Sequence, residues 1–361
     1  MGAPMGALAT GCKLSSDLLV LQPVPMSTAN VKTIADLARL AGVSKATVSR
    51  ALNDSPLVNA ETRERVRALA GEHGFQMNDS ARRLSLRQSN VIALVTYAYM
   101  ASEKVPDAFM LEIMSGLTAG LHAEGYDLLV IQVDSGDSSW IARYLNSGRV
   151  DGFVVLAATC TMEHLRTLEQ RGAPFVIWGM HPEGRTGSTV VGDGFTGGRL
   201  ATEHLLSAGR RHIAFIGGPA EVEEVQDRYG GYAAALTAAG LPVDESLVAY
   251  GDFRPECGAA TMCELLERRG DIDAVFVCSD LMAVTAIDEL RAQGRSVPQD
   301  VAVIGYDDVA IAAHNDPPLT TVRQPGPLAG RLLAQTLIQQ LRTGAVTHVS
   351  IPAELVVRAS A

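Results

Sequence analysis

The sequence predicts a small N-terminal all-α module followed by a large α/β core of two doubly wound parallel-sheet subdomains. Apolar residues recur at helical spacing over 33–74, whereas from residue 90 onward β-rich apolar runs alternate with longer helical stretches. Residues 31–90 carry ten Lys and Arg against six Asp and Glu, giving +4, although the chain as a whole carries −10. Because residues 1–30 balance one Lys against one Asp, −14 falls on the remainder. A basic module therefore precedes an acidic body.

Residues 1–30 show no periodicity and are rich in Gly, Ala, Ser and Pro, which predicts a disordered extension. A start codon assigned too early is a second explanation, because Met26 stands just before the first organised segment. No run is long and apolar enough for a membrane span, and no convincing signal peptide is visible. The five cysteines lack CxxC spacing, so we expect neither disulfides nor zinc and place the protein in the cytoplasm.

Three short helices are predicted in the basic module. Thr33 is placed to cap the first helix, which ends at Gly42, and Ser44 caps the second. A third helix is capped by Asn59 and stops at Gly74. The expected buried residues are Ile34, Leu37, Ala38 and Ala41 in the first helix, Val48, Ala51 and Leu52 in the second, and Val66, Leu69 and Ala70 in the third.

Ten strands are predicted in the core, which we assign to residues 90–361. They are VIALVTY, DLLVIQV, DGFVVLA, FVIWG, TVVGD, HIAFIGG, LVAYGD, DAVFVCSD, DVAVIGYDD and LTTVRQP. Continuous Val/Ile runs separated by helices indicate parallel strands covered on both faces, and the length suits two subdomains. We place the N-subdomain at about 90–208 and 322–345 and the C-subdomain at about 209–321 and 346–361.

Two helices joined by a turn at Gly42 match the helix-turn-helix arrangement, whose second helix enters the DNA major groove. With the apolar side turned inward, Lys45, Ala46, Ser49 and Arg50 lie on the outer face. The guanidinium of Arg50 suits a guanine edge, which makes it the main candidate for direct base readout. The alternative is a solvated helix face on an ordinary three-helix bundle.

The stretch TIADLARLAGVSKATVSRALNDSPLVNAETRERVRALAGEHGF closely resembles the DNA-binding headpiece of the lactose/galactose repressor (LacI/GalR) family. The resemblance continues to ELVVRASA at the C-terminus and covers essentially everything after residue 30. It implies a homodimeric bacterial repressor, associated with the nucleoid when bound to operator DNA, and leaves a tetramer open. It also implies a helix-turn-helix domain at 31–76, a hinge helix at 77–89 and a core similar to periplasmic sugar-binding proteins.

By matching position, the resemblance carries DNA contacts onto this chain. It implies that phosphates are held by Thr33, Ser44, Thr47 and Ser49, that bases are faced by Lys45, Ala46 and Arg50, and that Asn53 supports the backbone side. In the hinge, Leu84 matches the leucine that the family wedges into a minor-groove step, with Ala81 beside it. Met77 departs from the proline common in the family before the hinge. An amphipathic linker with Leu84 packed on the core is the alternative.

The segment GDGFTG at 192–197 matches the GxGxxG spacing of a dinucleotide site. However, the next strand ends in glycines where such a site needs an acidic residue. A turn at Gly192 and Gly194, with close packing at Gly197 and Gly198, is the simpler interpretation. The sequence shows no GxSxG, HExxH or GxxxxGK[ST] motif, so we predict no catalytic residue, no metal and no cofactor.

The resemblance places a sugar cleft between the subdomains. It implies that Asp193, Arg228 and Asp307 bind ligand hydroxyls, that Phe253 and Phe109 stack on the ligand, and that Ser279 lies where the family often has asparagine. Trp178 is added because it ends a predicted strand. Alternatives stand beside these roles: Asp307 and Asp280, the aspartate after Ser279, as loop caps, Arg228 in a structural ion pair, and Phe253 in the core.

The predicted function is a transcriptional repressor that binds a near-palindromic operator as a dimer and is controlled by a small-molecule effector, most simply a sugar. A regulator of the same fold that senses a purine or another metabolite is the alternative, since carboxylates and a serine favour hydroxyl-rich ligands only slightly. An NAD-dependent enzyme with a DNA-binding domain is the distant third reading.

Overall fold

The computed structural model describes residues 33–75, 88–97, 108–133, 136–157, 160–181 and 187–361. The chain divides into two compact units, Met1–Arg82 and Arg83–Ala361. The predicted extension at 1–30 and most of the predicted hinge, with Ala81 and Leu84, lie outside the described residues.

The described part of the first unit, residues 33–75, contains three helices: α1 (Ile34–Ala41), α2 (Lys45–Leu52) and α3 (Ala60–Glu72). Each begins at the predicted cap. The Thr33 side chain accepts a hydrogen bond from the backbone N–H of Asp36, and the Ser44 side chain accepts one from Thr47. Gly42 ends α1 at φ 65°, a conformation that costs glycine nothing because it has no Cβ.

One apolar cluster holds these three helices together. Its fully buried members are Leu37, Ala38, Ala41, Val48, Ala51, Val58, Val66 and Ala70. Ile34, Leu52 and Leu69, which the periodicity also turned inward, are only partly buried and pack against the rim of the cluster. The helical spacing of apolar residues therefore predicts this core well, because one face of each short helix must be buried.

The described residues of the second unit form two six-stranded sheets. The strands are β1 (Val91–Tyr97), β2 (Asp127–Val133), β3 (Gly152–Leu156), β4 (Phe175–Trp178), β5 (Ser188–Gly192), β6 (Ile213–Gly217), β7 (Val248–Tyr250), β8 (Ala274–Val277), β9 (Ala302–Asp307), β10 (Thr320–Arg323), β11 (His348–Ile351) and β12 (Glu354–Val356). The first sheet has the order β11-β5-β4-β3-β1-β2 and the second the order β12-β10-β9-β8-β6-β7. All pairs are parallel except β10 with β12.

Helices cover both faces of each sheet, as the doubly wound prediction requires. They are α4 (Ala108–Ala123), α5 (Ser139–Asn146), α6 (Met162–Gln170), α7 (Gly194–Ser207), α8 (Glu223–Ala238), α9 (Pro255–Arg268), α10 (Asp280–Ala292), α11 (Ala310–His314) and α12 (Gly326–Thr343). Each sheet separates two buried apolar clusters, one on each face. Within the described ranges, none of the helices combines the length and the apolar composition that crossing a bilayer requires.

The end of the chain differs from the prediction in three ways. The strands β11 and β12 were not anticipated, since three or four residues are too few to show a period of two. The strand β12 pairs antiparallel with β10, with Thr321 opposite Val356, at the edge of an otherwise parallel sheet. The strand β11 pairs with β5, so the segment at 348–351 belongs to the first sheet, not to the C-subdomain.

The predicted subdomain boundaries are also displaced at the two other points where the chain passes between the subdomains. Helix α7, which the sequence placed in the N-subdomain, packs on the second sheet through Ala201 and Leu205. The strand β10 pairs with β9 over its whole length, so residues 322 and 323 belong to the C-subdomain. The chain passes from one subdomain to the other next to Asp193, Gln324 and Pro352. The boundaries differ from the prediction because sheet membership depends on which strands pair, and the order of strands in the sequence does not fix that.

Candidate DNA-binding surface and ligand cleft

The outer face of α2 presents a cluster of polar side chains, as the sequence predicts. Lys45, Ala46 and Arg50 are exposed, while Thr47 and Ser49 are half-buried beside them. Within the part of the chain that the structure describes, neither Lys45 nor Arg50 has an ion-pair partner. Two cations on an exposed helix face are therefore available to an external anion or base edge.

Hydroxyl and amide groups at the helix ends already make local hydrogen bonds. The hydroxyl of Thr33 donates to Oδ2 of Asp36 at 2.7 Å, and the hydroxyls of Ser44 and Thr47 lie 2.8 Å apart. The amide of Asn53 donates to the carbonyl of Ser49 at 2.8 Å, so it closes the C-terminus of α2. These contacts orient the ends of α1 and α2. The hydroxyl proton of Thr33 is taken by Asp36, whereas one hydroxyl proton of the Ser44–Thr47 pair and one amide proton of Asn53 remain for a phosphate.

Arg228, on α8, is the central cation of the candidate cleft. It is only 4% exposed, and its Nη1 donates to the carbonyl of Cys278 at 2.8 Å. Its guanidinium carbon lies 3.9 Å from the centroid of the Tyr306 ring, and its Nη2 is 3.8 Å from a carboxylate oxygen of Glu224. Its Nε is buried and has no hydrogen-bond partner among the described residues. A buried, partly unsatisfied guanidinium is costly and is best explained by a ligand that completes it.

The electrostatics keep Arg228 charged. Burial lowers the pKa of this guanidinium, but Tyr306, Glu224, Cys278 and Asp307 raise it by more in total, so its pKa lies above the ordinary value. The alternative of a structural ion pair is only partly met, because 3.8 Å to Glu224 is longer than a hydrogen bond. The planar fork of Arg228 is thus oriented by an aromatic ring and a carbonyl.

Asp193 and Asp307 lie next to two of the crossings between the subdomains. Asp193 caps α7 by accepting the backbone N–H of Thr196 at 2.9 Å, which uses one oxygen. Asp307 accepts from the side-chain amide of Gln324 at 2.8 Å and has φ 112°. A positive φ costs a non-glycine residue about 1–3 kcal/mol and is characteristic of functional sites. Both carboxylates therefore combine a structural hydrogen bond with a position at the domain junction.

Ser279 and Asp280 begin α10 and have mainly structural contacts. The hydroxyl of Ser279 accepts the backbone N–H of Met282 at 3.2 Å. Asp280 accepts from the hydroxyl of Thr321 at 2.5 Å and from the backbone N–H of Val309 at 3.0 Å. Burial raises the pKa of Asp280 to about 7, opposed by these hydrogen bonds and reinforced by the nearby charge of Asp308. Ser279 therefore caps α10, while Asp280 holds the backbone just before α11, as the loop-cap alternative for Asp280 requires.

The three predicted aromatic residues occupy different environments. Trp178 is 4% exposed and belongs to a core cluster, and its ring centroid is 5.7 Å from that of Phe109. Phe109 is half-buried at the margin of that cluster. Phe253 is half-buried at φ 66°, with its ring over Gly218 at the end of β6. The strained backbone of Phe253 favours a ligand-facing role, whereas Trp178 is chiefly a packing residue.

The sequence analysis did not anticipate Glu224, Tyr306 and Gln324. Glu224 faces both Arg228 and Gly179, where a Cβ would collide with its carboxylate. Tyr306 is buried under the Arg228 guanidinium, and Gln324 holds Asp307. Strand-end position is the signal for Tyr306, because it directly precedes Asp307 in β9. The i, i+4 spacing of Glu224 and Arg228 on one helix face is a second signal.

The glycines of GDGFTG serve close packing. A Cβ at Gly194 would meet Asp227, one at Gly197 would meet the Tyr306 ring, and one at Gly198 would meet the backbone of Arg228. Helices α7 and α8 therefore approach closely because these positions lack side chains. Among the described residues, no group of three His, Cys, Asp or Glu side chains is placed to hold a metal ion.

A capped helix-turn-helix unit followed by two sheets linked at three crossings is the architecture of a class of DNA-binding regulators. Comparisons with known proteins agree. Residues 33–78 match the model of bacterial regulatory proteins of the lacI family, and residues 202–361 match that of the periplasmic binding protein-like domain. The chain belongs to the LacI family of transcriptional regulators.

The relatives extend over nearly the whole chain. The transcriptional regulator CelR of Thermobifida fusca is 40% identical over 88% of this chain and 93% of its own length. The repressor PurR of Pectobacterium carotovorum subsp. carotovorum, strain PC1, is 34% identical over 86% and 90%. These relatives are named regulators, so the prediction of a regulator instead of an enzyme is confirmed.

Solved structures give the same fold. A CelR–cellobiose complex superposes with a TM-score of 0.70 at 37% identity, covering 91% of this chain and 99% of that one. The Lac repressor dimer bound to operator and the anti-inducer ONPF superposes with a TM-score of 0.79 at 26% identity, covering 91% and 98%. The predicted fold class, a helix-turn-helix region plus two parallel-sheet subdomains, is confirmed.

Proposed function

We propose that this regulator is a repressor that binds a near-palindromic operator as a dimer. Its operator affinity falls or rises when a carbohydrate binds between its core subdomains. The observation that carries the effector part is Arg228: a buried guanidinium, held by Cys278 and Tyr306, with an Nε that lacks a partner among the described residues. Sugars offer the hydroxyl and ring oxygens that such a group binds.

On the DNA side, α2 would lie in the major groove with Lys45, Ala46 and Arg50 toward the bases. Arg50 is the direct reader, because its fork matches O6 and N7 of guanine. The N-termini of α1 and α2, capped by Thr33 and Ser44, would meet phosphates, since helix N-termini carry partial positive charge. Leu84 and Ala81 would complete operator binding in the minor groove, as the family resemblance implies.

On the effector side, the acceptors Asp193 and Asp307 and the donor Arg228 suit a ligand rich in hydroxyl groups. The half-buried Phe253 and Phe109 would cover its apolar face. The relative CelR of Thermobifida fusca is 40% identical, and a solved CelR–cellobiose complex is 37% identical, which favours a carbohydrate of this kind. Ser279 would contribute little, because its hydroxyl caps α10.

A purine is the second candidate, and PurR relatives at 34% identity favour it. A purine needs a donor and acceptor pair at its edge and an aromatic ring at its face. Among the described cleft residues, Gln324 has a side-chain amide, and one of its two N–H groups already bonds Asp307. The carboxylate-rich lining therefore favours the carbohydrate.

Two measurements test the proposal on the full chain. Selection from a random duplex pool at moderate salt should recover palindromes, and affinity should fall steeply with salt because Lys and Arg displace counterions. Calorimetry with cellobiose, glucose, hypoxanthine and NAD should then give binding for a sugar alone. Recovery of no sequence with or without these ligands contradicts the operator part, and hypoxanthine binding in place of sugars contradicts the effector class.

A further inference from the structure

A cavity in the core unit lies beside the Arg228 cluster, and Arg228 itself does not line it. It measures about 330 Å³ and is lined by residues at the edge of the first sheet and at the starts of two helices of the second subdomain. Of the seven predicted effector residues, only Asp193 lines it. Ligand pockets in proteins are typically about 300–1,000 Å³, so the volume admits one sugar-sized ring.

The walls come from both subdomains. Thr189, His348 and Ser350 belong to the strands β5 and β11 of the first sheet, whereas Phe195 and Asp227 belong to α7 and α8. Side chains of β5 and β11 alternate between the two faces, which places these three polar residues on one side of the sheet edge. A molecule bound here would touch both subdomains at once.

A polar bridge already spans this gap. Nε2 of His181 lies 2.7 Å from Oδ2 of Asp227, and the backbone N–H of His181 donates to Oε2 of Glu223 at 2.9 Å. These contacts join the loop after β4 to the first turns of α8. Since the cavity lies directly beside the bridge, its occupancy and the spacing of the subdomains are physically linked.

The lining indicates the chemistry of the ligand. Nδ1 of His348 lies 3.0 Å from the hydroxyl of Thr189. Among the described residues, Nε2 of His348 and the hydroxyl of Ser350 have no hydrogen-bond partner. Phe195 is 47% exposed, which offers a ring face for stacking. Groups that both donate and accept, next to an aromatic ring, suit a ligand whose hydroxyls do the same.

The charge of the lining argues against negatively charged ligands. Asp193 and Asp227 bring two carboxylates, and the described lining residues include no lysine or arginine. Phosphorylated and carboxylated ligands are therefore repelled. We propose that this cavity is a second ligand site for a small neutral polyhydroxylated ring, which bridges the two subdomains beside the His181–Asp227 contact and alters their closure. It shares Asp193 with the cleft but not Arg228.

The test uses the full chain with D-glucose, myo-inositol and glucose 6-phosphate as probes, measured by ligand-observed NMR and by soaking crystals. Ser350→Trp fills the cavity from an exposed strand position, and Val346→Trp, 42% exposed and outside the lining, is the matched control. Arg228→Lys impairs the cleft but not the cavity. We expect glucose or myo-inositol binding to persist in Arg228→Lys and Val346→Trp and to fall at least tenfold in Ser350→Trp.

Three results overturn the proposal: no neutral ring in the cavity of the soaked crystals, binding unchanged by Ser350→Trp, or glucose 6-phosphate bound there as well as glucose. Failure of the cleft is distinguishable, because cleft binding is lost in Arg228→Lys and kept in Ser350→Trp. The functional readout is operator affinity measured with and without glucose or myo-inositol. The probe should change the operator affinity of Val346→Trp and should not change that of Ser350→Trp.

Discussion

Replacing Arg228 by lysine tests the cleft with the least disturbance to charge. Lysine keeps the positive charge near Glu224 but has no planar fork, so it cannot hold the Cys278 carbonyl and a ligand oxygen in the geometry that Arg228 uses. The guanidinium packed 3.9 Å from the centre of the Tyr306 ring is also lost. The variant therefore removes geometry and stacking while leaving the net charge unchanged.

The expected magnitude follows from the contacts. A hydrogen bond to a charged group contributes about 1.5–3 kcal/mol. Losing one such bond to the ligand weakens effector binding about 10- to 150-fold. The assay is isothermal calorimetry with the sugar that binds best to the wild-type protein, alongside thermal unfolding. Arg199→Lys is the control, because Arg199 is partly exposed on α7 and bonds Glu203 on the same face.

The reasoning is refuted if Arg228→Lys binds the sugar within about threefold of wild type while remaining folded. In that case the buried guanidinium serves the fold alone, as the structural ion-pair alternative holds. A loss of operator binding without any loss of sugar binding also contradicts the assignment, because Arg228 lies in the core unit and not in the DNA-binding unit.

The other predictions concern DNA and pH. Arg50→Ala should cost about 1–3 kcal/mol and relax base preference at one operator position, measured by competition with single-base variants; unchanged preference removes its readout role. Leu84→Ala should reduce DNA bending in a gel-shift phasing assay, and full bending speaks against the wedge. Asp280, whose pKa is raised to about 7 by burial, stabilises the fold fully below its ordinary pKa and loses that contribution as pH rises through about 7. Asp280→Asn should flatten this fall in unfolding free energy between pH 4 and 7.5, and Asp288→Asn, at an exposed position, is the control. If the unfolding free energy of Asp280→Asn still falls as steeply with pH, another group causes the pH dependence.

Local signals in the sequence were sufficient for the DNA-binding unit. Thr33, Ser44 and Asn59 all cap the helices that were expected of them, because a cap is decided by a side chain and a backbone N–H a few residues apart. The family resemblance extended this to named DNA contacts, which stay predictions. Strand runs and their alternation with helices likewise determined the doubly wound class.

What the sequence left open lies where distant segments meet. The strand β11 pairs with β5, about 160 positions earlier in the chain, and β12 pairs with β10, about 35 positions earlier. The three or four residues of each strand therefore carry no local signal that predicts it. The same holds for the Arg228 cluster: its ring comes from Tyr306, which lies in another element. Residue types and local periodicity therefore determined the class of protein and its helix caps. Only the tertiary structure decided which side chains share a cleft, because contact depends on sheet order and on the crossings between the subdomains.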